Sequence, residues 1–389
     1  MDSPVPFRGL STRAVHAGEL SRDPRAAVVN PIYQATTFFS EPGGAGEVLY
    51  TRYGNTPNHR ALAERIAALE GTEDALVLGS GMAATAAALL ACLQAGDHVL
   101  AAQALYGGTR ALLERELPRL GIRSTLVDLH SDGWEEAFRP ETRVLLLEVP
   151  ANPLMRVVDF PRVVEAARAR GARVLVDATF ASPINFRAVE HGADLAIHSA
   201  TKYLGGHSDV TAGVVAGGRE MVETARARAL SFGASLDPHA AWLVERGMKT
   251  LAIRMERHNR NGMAVAEWCE GRGGIARVHY PGLPSHPDHA LARRLLDGFG
   301  GMLGIELEGG AGAAARFVGA LRLAKVAPSL GGVETLVSEP RYTSHVGLTA
   351  EEREGLGIRD GFVRFSLGIE DAEDIVSDIG QALAAANGA

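Results

Sequence analysis

The chain has 389 residues, of which 46% are hydrophobic and 22% charged, a composition typical of a globular protein with a large core. A formal net charge of -7 and the lack of any Lys/Arg cluster argue against nucleic acid as a partner. The opening residues lack the apolar core of a signal peptide, and no uncharged run reaches the length of a membrane helix. We therefore predict a cytoplasmic protein with no membrane partner. Neither Cys92 nor Cys269 has metal-ligand neighbours, so no metal site is predicted.

The first 55 residues are uneven and rich in loop-forming sequence, which predicts an N-terminal arm (residues 1–55) that packs on a neighbouring subunit. Near its end, Tyr50 and Arg52 offer a hydroxyl and a guanidinium, a pair suited to binding a phosphate. Taken alone, Arg52 would be an ordinary surface residue.

Short apolar runs then alternate with helical patterns, which predicts buried strands of a mostly parallel sheet in a domain spanning residues 56–248. The runs are 75–78, 99–102, 124–127, 144–147, 174–176, 195–197 and 213–216. Helical periodicity appears between them, on the faces formed by Leu62, Ile66 and Leu69 and by Leu112, Leu113, Leu117 and Leu120. The predicted fold class is α/β, with helices flanking the sheet and ligands gathered at the carboxyl ends of its strands.

Residues 79–84, Gly-Ser-Gly-Met-Ala-Ala, follow the first strand and open a helix, so backbone N–H groups and the helix dipole converge there on an anion. The same residues satisfy a dinucleotide fingerprint, G-x-G-x-x-A, which leaves nicotinamide or flavin binding open. That alternative requires an acidic residue at the end of the second strand, whereas Asp97 stands before that strand. A purely structural glycine turn is a further alternative.

Tyr106 follows the second strand in a glycine-rich turn, where an aromatic ring can stack on a planar cofactor, although a lone tyrosine is more often part of a core or rim. Asp177 closes the strand 173–177. A buried carboxylate there can keep a pyridine nitrogen protonated, and a helix cap or a salt bridge is the alternative.

Lys202 lies just past another strand end, in the run Ser199-Ala-Thr-Lys-Tyr-Leu-Gly-Gly. A lysine in this position can form a Schiff base with an aldehyde, while the hydroxyls of Ser199 and Thr201 hold a phosphate. Pyridoxal 5′-phosphate (PLP) carries both groups. A lone loop lysine is usually only a solvated charge, so the prediction depends on the residues around it.

A smaller C-terminal α/β domain is predicted for residues 249–389, because helical sequence leads into a strand-like alternation over 301–308. Arg364 stands in the apolar run 361–370, where a charge is out of place unless it is paired. An arginine there could grip a substrate carboxylate in bidentate fashion.

Taken together, these segments resemble the Cys/Met-metabolism family of PLP-dependent enzymes, which includes cystathionine γ-synthase, cystathionine γ-lyase, methionine γ-lyase and the O-acylhomoserine sulfhydrylases. The resemblance runs from Ser11 to Glu370. Its motifs, in family order, are residues 50–55, 79–82, 105–109, 150–153, 176–180, 199–209, 329–334 and 364–370. The resemblance implies PLP-dependent transferase fold type I, the aspartate aminotransferase-like fold. It also implies a homotetramer of two active dimers in which Tyr50 and Arg52 reach the cofactor phosphate of the adjacent subunit.

The resemblance also assigns roles around the cofactor. Phosphate contacts are implied for Ser80, Gly81, Met82, Ser199 and Thr201. Asp177 would hold the pyridine nitrogen and Lys202 the aldehyde, and Tyr106 would stack on the ring and assist catalysis. The substrate carboxylate and the ring oxygen would be held by Asn152, Ser329 and Arg364.

The implied activity is γ-elimination or γ-replacement on small sulfur amino acids or O-acylhomoserine, favouring a cystathionine γ-synthase or γ-lyase. O-acylhomoserine sulfhydrylase and methionine γ-lyase are the alternatives. More distant ones are an NAD-dependent oxidoreductase, an aminotransferase and an inactive scaffold protein.

Four positions depart from the family pattern. Gly108 replaces a cysteine usual in methionine γ-lyases, Ala111 and Pro328 replace an arginine and a glutamate frequent in cystathionine enzymes, and Ala178 replaces an asparagine. Arg110, one step from Ala111, is predicted to hold the distal end of the substrate.

Overall fold

A computed structural model of the chain describes residues 7–20, 25–44, 46–343 and 346–387, and its larger part is built around a seven-stranded sheet. The strands are Asp74–Leu78 (β1), His98–Ala102 (β2), Arg123–Val127 (β3), Thr142–Glu148 (β4), Arg173–Asp177 (β5), Leu195–Ser199 (β6) and Gly213–Gly217 (β7). They lie in the order β1-β7-β6-β5-β4-β2-β3, and β7 runs antiparallel to both of its neighbours while β2 to β6 are parallel. The predicted mostly parallel sheet is confirmed, and each of the seven apolar runs predicted for it falls within one of these strands.

Helices cover this sheet and connect its strands. The helices of the larger part are Leu10–His16 (α1), Pro57–Glu70 (α2), Gly81–Cys92 (α3), Gly107–Ala111 (α4), Phe160–Arg168 (α5), Ser182–Asn185 (α6), Arg219–Phe232 (α7) and Pro238–Met248 (α8). In α2, Pro57 occupies the first turn and Gly71 ends the helix in the left-handed conformation, as helix-capping rules favour. Its predicted inner face of Leu62, Ile66 and Leu69 is fully buried.

The second predicted helical face, which ends at Leu120, is wrong at that residue. Leu113 and Leu117 are buried as expected, but Leu120 is 46% exposed. The chain forms a π-helical turn over Leu112–Glu116 and then a 3₁₀ turn over Leu117–Leu120. Because these turns change the rotation per residue, Leu120 leaves the face that a regular helix would have kept inward.

A second sheet forms the smaller part of the molecule. Its strands are Ile275–His279 (β8), Met302–Leu307 (β9), Lys325–Val326 (β10), Leu336–Ser338 (β11) and Phe362–Ser366 (β12). They lie in the order β10-β11-β12-β9-β8 and are antiparallel apart from the pair β10–β11. The helices are Leu251–Cys269 (α9), His289–Leu295 (α10), Gly310–Ala320 (α11), Ala350–Gly355 (α12) and Ala372–Asn387 (α13). The predicted smaller α/β part therefore exists, with a hydrophobic core of its own, while the boundary at residue 248 stays a prediction.

The N-terminal arm contacts α2 and α8 of its own chain through a buried polar cluster. The Asn30 side chain donates to Glu245 over 2.9 Å, and the guanidinium of Arg65 donates to the carbonyl of Val15 over 2.8 Å. Other arm side chains face solvent, including Val28 at 97% and Phe39 at 108% exposure. Residues 1–6, 21–24 and 45 of the predicted arm, which include the opening residues, lie outside the described part of the chain.

Candidate active site

A cavity of about 970 Å³ opens at the carboxyl ends of the central strands, where an α/β sheet is expected to bind its ligand. It brings together almost all of the predicted site residues: Ser80, Gly81, Met82, Tyr106, Arg110, Asn152, Asp177, Ser199, Thr201, Lys202, Ser329 and Arg364. Residues 328–364 belong to the smaller part of the molecule, so both sheets contribute to one site. Tyr50 and Arg52 lie outside the lining that the described residues provide.

Lys202 brings an amine to this cavity. Its Nζ donates a hydrogen bond to Ser329 Oγ over 2.7 Å. Burial, with a smaller contribution from the positive charge of Arg364, lowers the pKa of Lys202 to about 8. Ser329 itself has a φ of 97°, a conformation that non-glycine residues rarely adopt. The rare conformation places a hydroxyl against the lysine, and a pKa near 8 gives Lys202 a substantial neutral fraction at physiological pH.

We expect the apoprotein to show this pKa in its chemistry. Trinitrophenylation of Lys202 should be half-maximal near pH 8, instead of near the usual lysine pKa of 10.5, because only the neutral amine attacks the reagent. Peptide mass spectrometry across a pH series measures this directly, since the other lysines of the chain are Lys249 and Lys325. Exposed Lys325 controls for reagent behaviour. A Lys202 midpoint above pH 10 would show that the amine is not desolvated.

Asp177 brings a partly buried carboxylate to the cavity. It ends β5, and its Oδ1 accepts a hydrogen bond from the N–H of Thr179 over 2.9 Å. Burial raises its pKa, and hydrogen bonds from Thr179 only partly offset this effect. Within the described ranges, no Lys, Arg or His forms an ion pair with it at 4.0 Å or less. A ligand that brings an N–H with positive charge, such as a pyridinium, fits this position.

The start of α3 forms the predicted anion site. Ser80 caps the helix, its Oγ accepting from the N–H of Ala83 over 3.1 Å. Gly81 approaches Ser199 so closely that a Cβ at residue 81 would lie 2.7 Å from the Ser199 Cβ. Free N–H groups of the first helical turn and the Ser199 hydroxyl thus face one cavity, an arrangement that suits a phosphate. The Thr201 hydroxyl is already engaged, donating to the carbonyl of Ala212 over 3.3 Å and accepting from its N–H over 3.0 Å.

Tyr106 forms one wall of the cavity and is 47% exposed. Its N–H donates to the carboxylate of Glu148, the last residue of β4. Gly108 lies against the ring, since a Cβ at residue 108 would be 2.6 Å from a Tyr106 ring atom and 3.0 Å from the Met82 sulfur. The departure from cysteine at this position therefore changes the immediate surroundings of Tyr106.

Glu148 was not predicted from the sequence. It ends an apolar run and pairs in register with Asp177 on the adjacent strand. The pattern that singled out Asp177, a carboxylate closing a buried strand, is present here too and could have identified it.

Arg364 is a buried cation with only neutral partners among the described residues. It lies in β12 at 4% exposure, its Nη1 donating to Asn152 Oδ1 over 2.9 Å and its Nη2 to the Ser329 carbonyl over 3.4 Å. Burial lowers its pKa to about 10, so it stays charged at neutral pH. Its Nε has no hydrogen-bond partner in the described chain. A guanidinium that is desolvated but not neutralised is suited to bind a carboxylate.

Arg110 lies at the mouth of the cavity and is already paired. Its Nε donates to Glu114 over 2.8 Å, and its Nη2 lies 3.6 Å from the carboxylate of Glu352 in α12. Arg52, by contrast, is exposed, with its guanidinium 5.0 Å from the centre of the Tyr53 ring. Arg110 can therefore meet a ligand of its own chain, whereas Arg52 does not line the cavity of its own chain.

An α/β fold with a lysine, a partly buried aspartate and a helix N-terminus around one cavity is the arrangement expected of a PLP-dependent enzyme. The chain matches the model of the Cys/Met metabolism PLP-dependent enzyme family over residues 11–384 and belongs to that family. PLP is its cofactor, as predicted, and the dinucleotide interpretation of residues 79–84 is wrong. When bound, PLP supplies an electron sink for the carbon next to the amino-acid nitrogen.

Relatives with different activities are similar to this chain to nearly the same degree. The L-methionine gamma-lyase of Pseudomonas putida is 43% identical, with 97% of this chain and 98% of the relative covered. The cystathionine beta-lyase of Lactococcus lactis subsp. cremoris (strain MG1363) is 42% identical, with 96% and 98% covered. The solved structure of the cystathionine gamma synthase of Xanthomonas oryzae pv. oryzae has a TM-score of 0.94 at 38% identity, covering 98% of this chain and 99% of that one.

The predicted transferase fold and reaction class are confirmed by this membership: the chain is a PLP-dependent enzyme of sulfur amino-acid metabolism. A β-lyase among these relatives adds a reaction type that the sequence analysis did not consider. Because identity barely separates the relatives, the choice between reactions has to come from the site.

Proposed function

We propose that this protein catalyses γ-elimination or γ-replacement on a sulfur amino acid or an activated homoserine whose distal end is charged, as cystathionine γ-lyase or γ-synthase does. One observation carries the proposal: Lys202, Arg364 and Arg110 line a single cavity. This arrangement offers a reactive amine at the centre, a carboxylate grip on one side and a second guanidinium at the mouth. A substrate with a carboxylate at each end complements both arginines.

Arg364 and Asn152 bind the α-carboxylate in this proposal, and Ser329 orients Lys202. Lys202 takes the proton from the α-carbon and then moves protons between the α- and β-carbons, which γ-chemistry requires. A pKa of about 8 suits this work, because the same amine must accept and return protons near neutral pH. Tyr106 stacks on the cofactor ring and assists departure of the γ-substituent.

Methionine fits the mouth of the cavity less well than cystathionine. Arg110, Glu114 and Glu352 form a charged cluster there, and the S-methyl group of methionine would shield those charges from water without satisfying any of them. The distal amino-acid group of cystathionine can pair with both signs of charge.

The function is tested by incubating the PLP-loaded enzyme with L-cystathionine and identifying the keto acid. Cleavage on the γ side yields cysteine, ammonia and 2-oxobutyrate, whereas cleavage on the β side yields homocysteine, ammonia and pyruvate. We expect 2-oxobutyrate, either from cystathionine or, for an enzyme working in the synthetic direction, from O-succinylhomoserine without a thiol. Pyruvate as the main product would contradict the proposal and identify a β-lyase.

The matched variant for this assay is Arg110→Gln. It should raise the KM for cystathionine about tenfold, corresponding to loss of about 1.4 kcal/mol from one charged contact, while the KM for methionine stays unchanged. Equal effects on both substrates would show that Arg110 supports the loop without binding the distal group.

The proposal includes an assembly and a location. We propose a homotetramer of two active dimers in which Tyr50 and Arg52 bind the cofactor phosphate of the neighbouring subunit. Support comes from the position of Arg52 outside the cavity of its own chain and from exposed apolar arm side chains such as Phe39. We also propose that the chain divides into an arm (1–55), a PLP-binding domain (56–248) and a C-terminal domain (249–389). The proposed location is cytoplasmic. No helix in the described part of the chain is long and apolar enough to cross a membrane.

A further inference from the structure

Glu148 is a buried acid that the proposed mechanism does not use. It is 7% exposed, and no lysine, arginine or histidine of the described residues forms an ion pair with it. Its hydrogen bonds come from two backbone groups: Oε1 accepts from the N–H of Tyr106, and Oε2 accepts from the N–H of Asn152 over 3.4 Å. Leaving a carboxylate buried without a cation is costly, so its two contacts indicate what the side chain does.

The N–H groups that donate to Glu148 belong to two different loops of the site. Tyr106 precedes α4 and presents the ring that lines one wall of the cavity. Asn152 follows β4, and its Oδ1 accepts from Arg364, the cation that faces the substrate carboxylate. The Glu148 side chain therefore connects the loop that carries Tyr106 to the loop that carries Asn152, the residue that contacts Arg364.

An ionised carboxylate suits both contacts best. It is the stronger acceptor on both oxygens, whereas a glutamine amide would turn its NH2 donor toward one of the two N–H groups. Burial, and next to it the charge of Asp177, raises the pKa of Glu148 to about 8. A cationic ring nitrogen held by Asp177 offsets that second contribution and favours the ionised form of Glu148.

We propose that Glu148 is a positioning residue that couples the cofactor-stacking wall at Tyr106 to the carboxylate grip formed by Asn152 and Arg364. The inference rests on the proposed roles of Tyr106 and Arg364. The neighbouring Asp177 makes the coupling sensitive to the cofactor, because both carboxylates stand side by side at the ends of β4 and β5.

The test compares glycine with methylamine, two amines that differ by one carboxylate, on the PLP-loaded enzyme. Each is titrated while the visible absorbance of the cofactor is followed. We expect the wild-type protein to bind glycine more tightly than methylamine, and Glu148→Gln to reduce that preference about tenfold, a typical cost for one disrupted charge-assisted contact. The visible circular dichroism of the cofactor should change in the same variant, because the wall at Tyr106 shifts.

Two further variants separate positioning from a general loss of structure. Glu148→Asp keeps the charge and should recover part of the glycine preference, while exposed Glu165→Gln in α5 should leave both readouts at wild-type values. In an Asn152→Ala background, Glu148→Gln should reduce the glycine preference no further, because the effect passes through the Asn152 side chain.

The outcomes distinguish the inference from the function on which it rests. If Glu148→Gln keeps the wild-type glycine preference and circular dichroism, or if Glu148→Asp is no better than Glu148→Gln, the positioning role is overturned. If the wild-type enzyme itself shows no preference for glycine, the proposed carboxylate grip of Arg364 fails first.

Discussion

Lys202→Ala is expected to lower kcat by at least about 10⁴-fold, since the variant loses both the covalent anchor of the cofactor and the base that moves substrate protons. Half-buried Lys202, which donates a hydrogen bond to Ser329, has no lysine neighbour to replace it, because only Lys249 and Lys325 remain in the chain. Borohydride reduction of the loaded protein followed by peptide mass spectrometry measures the anchor. Cofactor mass should appear on the Lys202 peptide of the wild-type protein and on no lysine of the variant.

Lys249→Ala serves as the matched control and should retain both the cofactor adduct and activity. A Lys202→Ala protein that still carried covalent cofactor would refute the assignment.

The same variant tests whether Arg52 of the arm serves the neighbouring subunit. When Lys202→Ala chains are mixed with Arg52→Ala chains, part of the wild-type activity should return, because one site of a mixed dimer then has an intact lysine and an intact partner arginine. No recovery on mixing would show that Arg52 serves its own chain or none.

Much of the fold and site follows from strand ends that can be read in the sequence. Short apolar runs such as 174–176 and 195–197, which alternate with helical patterns, indicate buried strands, and parallel strands bring their carboxyl ends to one edge. That rule alone places Asp177 near Lys202. Arg364 could also be identified from the sequence, since a charged side chain within an apolar strand is expected to pair with another group or bind a ligand.

Other features depend on contacts between distant segments, which periodicity does not encode. The 2.7 Å bond from Lys202 to Ser329 joins residues 127 positions apart, and it depends on the rare backbone conformation of Ser329. The pairing of Arg110 with Glu352 likewise crosses from α4 to α12. Leu120 was misplaced for a local reason, because a π turn and a 3₁₀ turn interrupt the regular period.

The cavity has two basic side chains and two acidic side chains that do not pair with each other. Lys202 and Arg364 are cations without a carboxylate partner among the described residues, and Asp177 and Glu148 are carboxylates without a cation. Lys202 and Arg364 line the same cavity, and the two acids lie at the adjacent ends of β4 and β5. An amino-acid carboxylate would complete the first pair. A pyridinium ring would favour the ionised forms of the two acids, whose pKa values burial raises.

Asp177→Asn should lower kcat about 10²- to 10³-fold, a typical loss when one preorganised electrostatic contact is removed. The amide can still accept the hydrogen bond from Thr179, so the loop is kept, but it carries no negative charge to hold a proton on the ring nitrogen. Exchange of the substrate α-hydrogen with deuterated solvent should slow in parallel with turnover. Unchanged exchange would mean that Asp177 does not assist carbanion formation, and exposed Asp132→Asn provides the control.

The same substitution should stabilise the apoprotein while it impairs catalysis. The pKa of Asp177 is raised in the folded state, mainly by burial, so the folded protein binds this proton more tightly than the unfolded chain does. The contribution of Asp177 to stability therefore decreases as the pH rises from the pKa of the unfolded chain through the pKa of the folded protein. The free energy of unfolding decreases over the same pH range. The amide that replaces the carboxyl group has no proton to lose, so above that window the apo form of Asp177→Asn should melt at a higher temperature than the wild-type apoprotein. A lower melting temperature would mean that the ionised aspartate stabilises the empty site, and its role would then be structural.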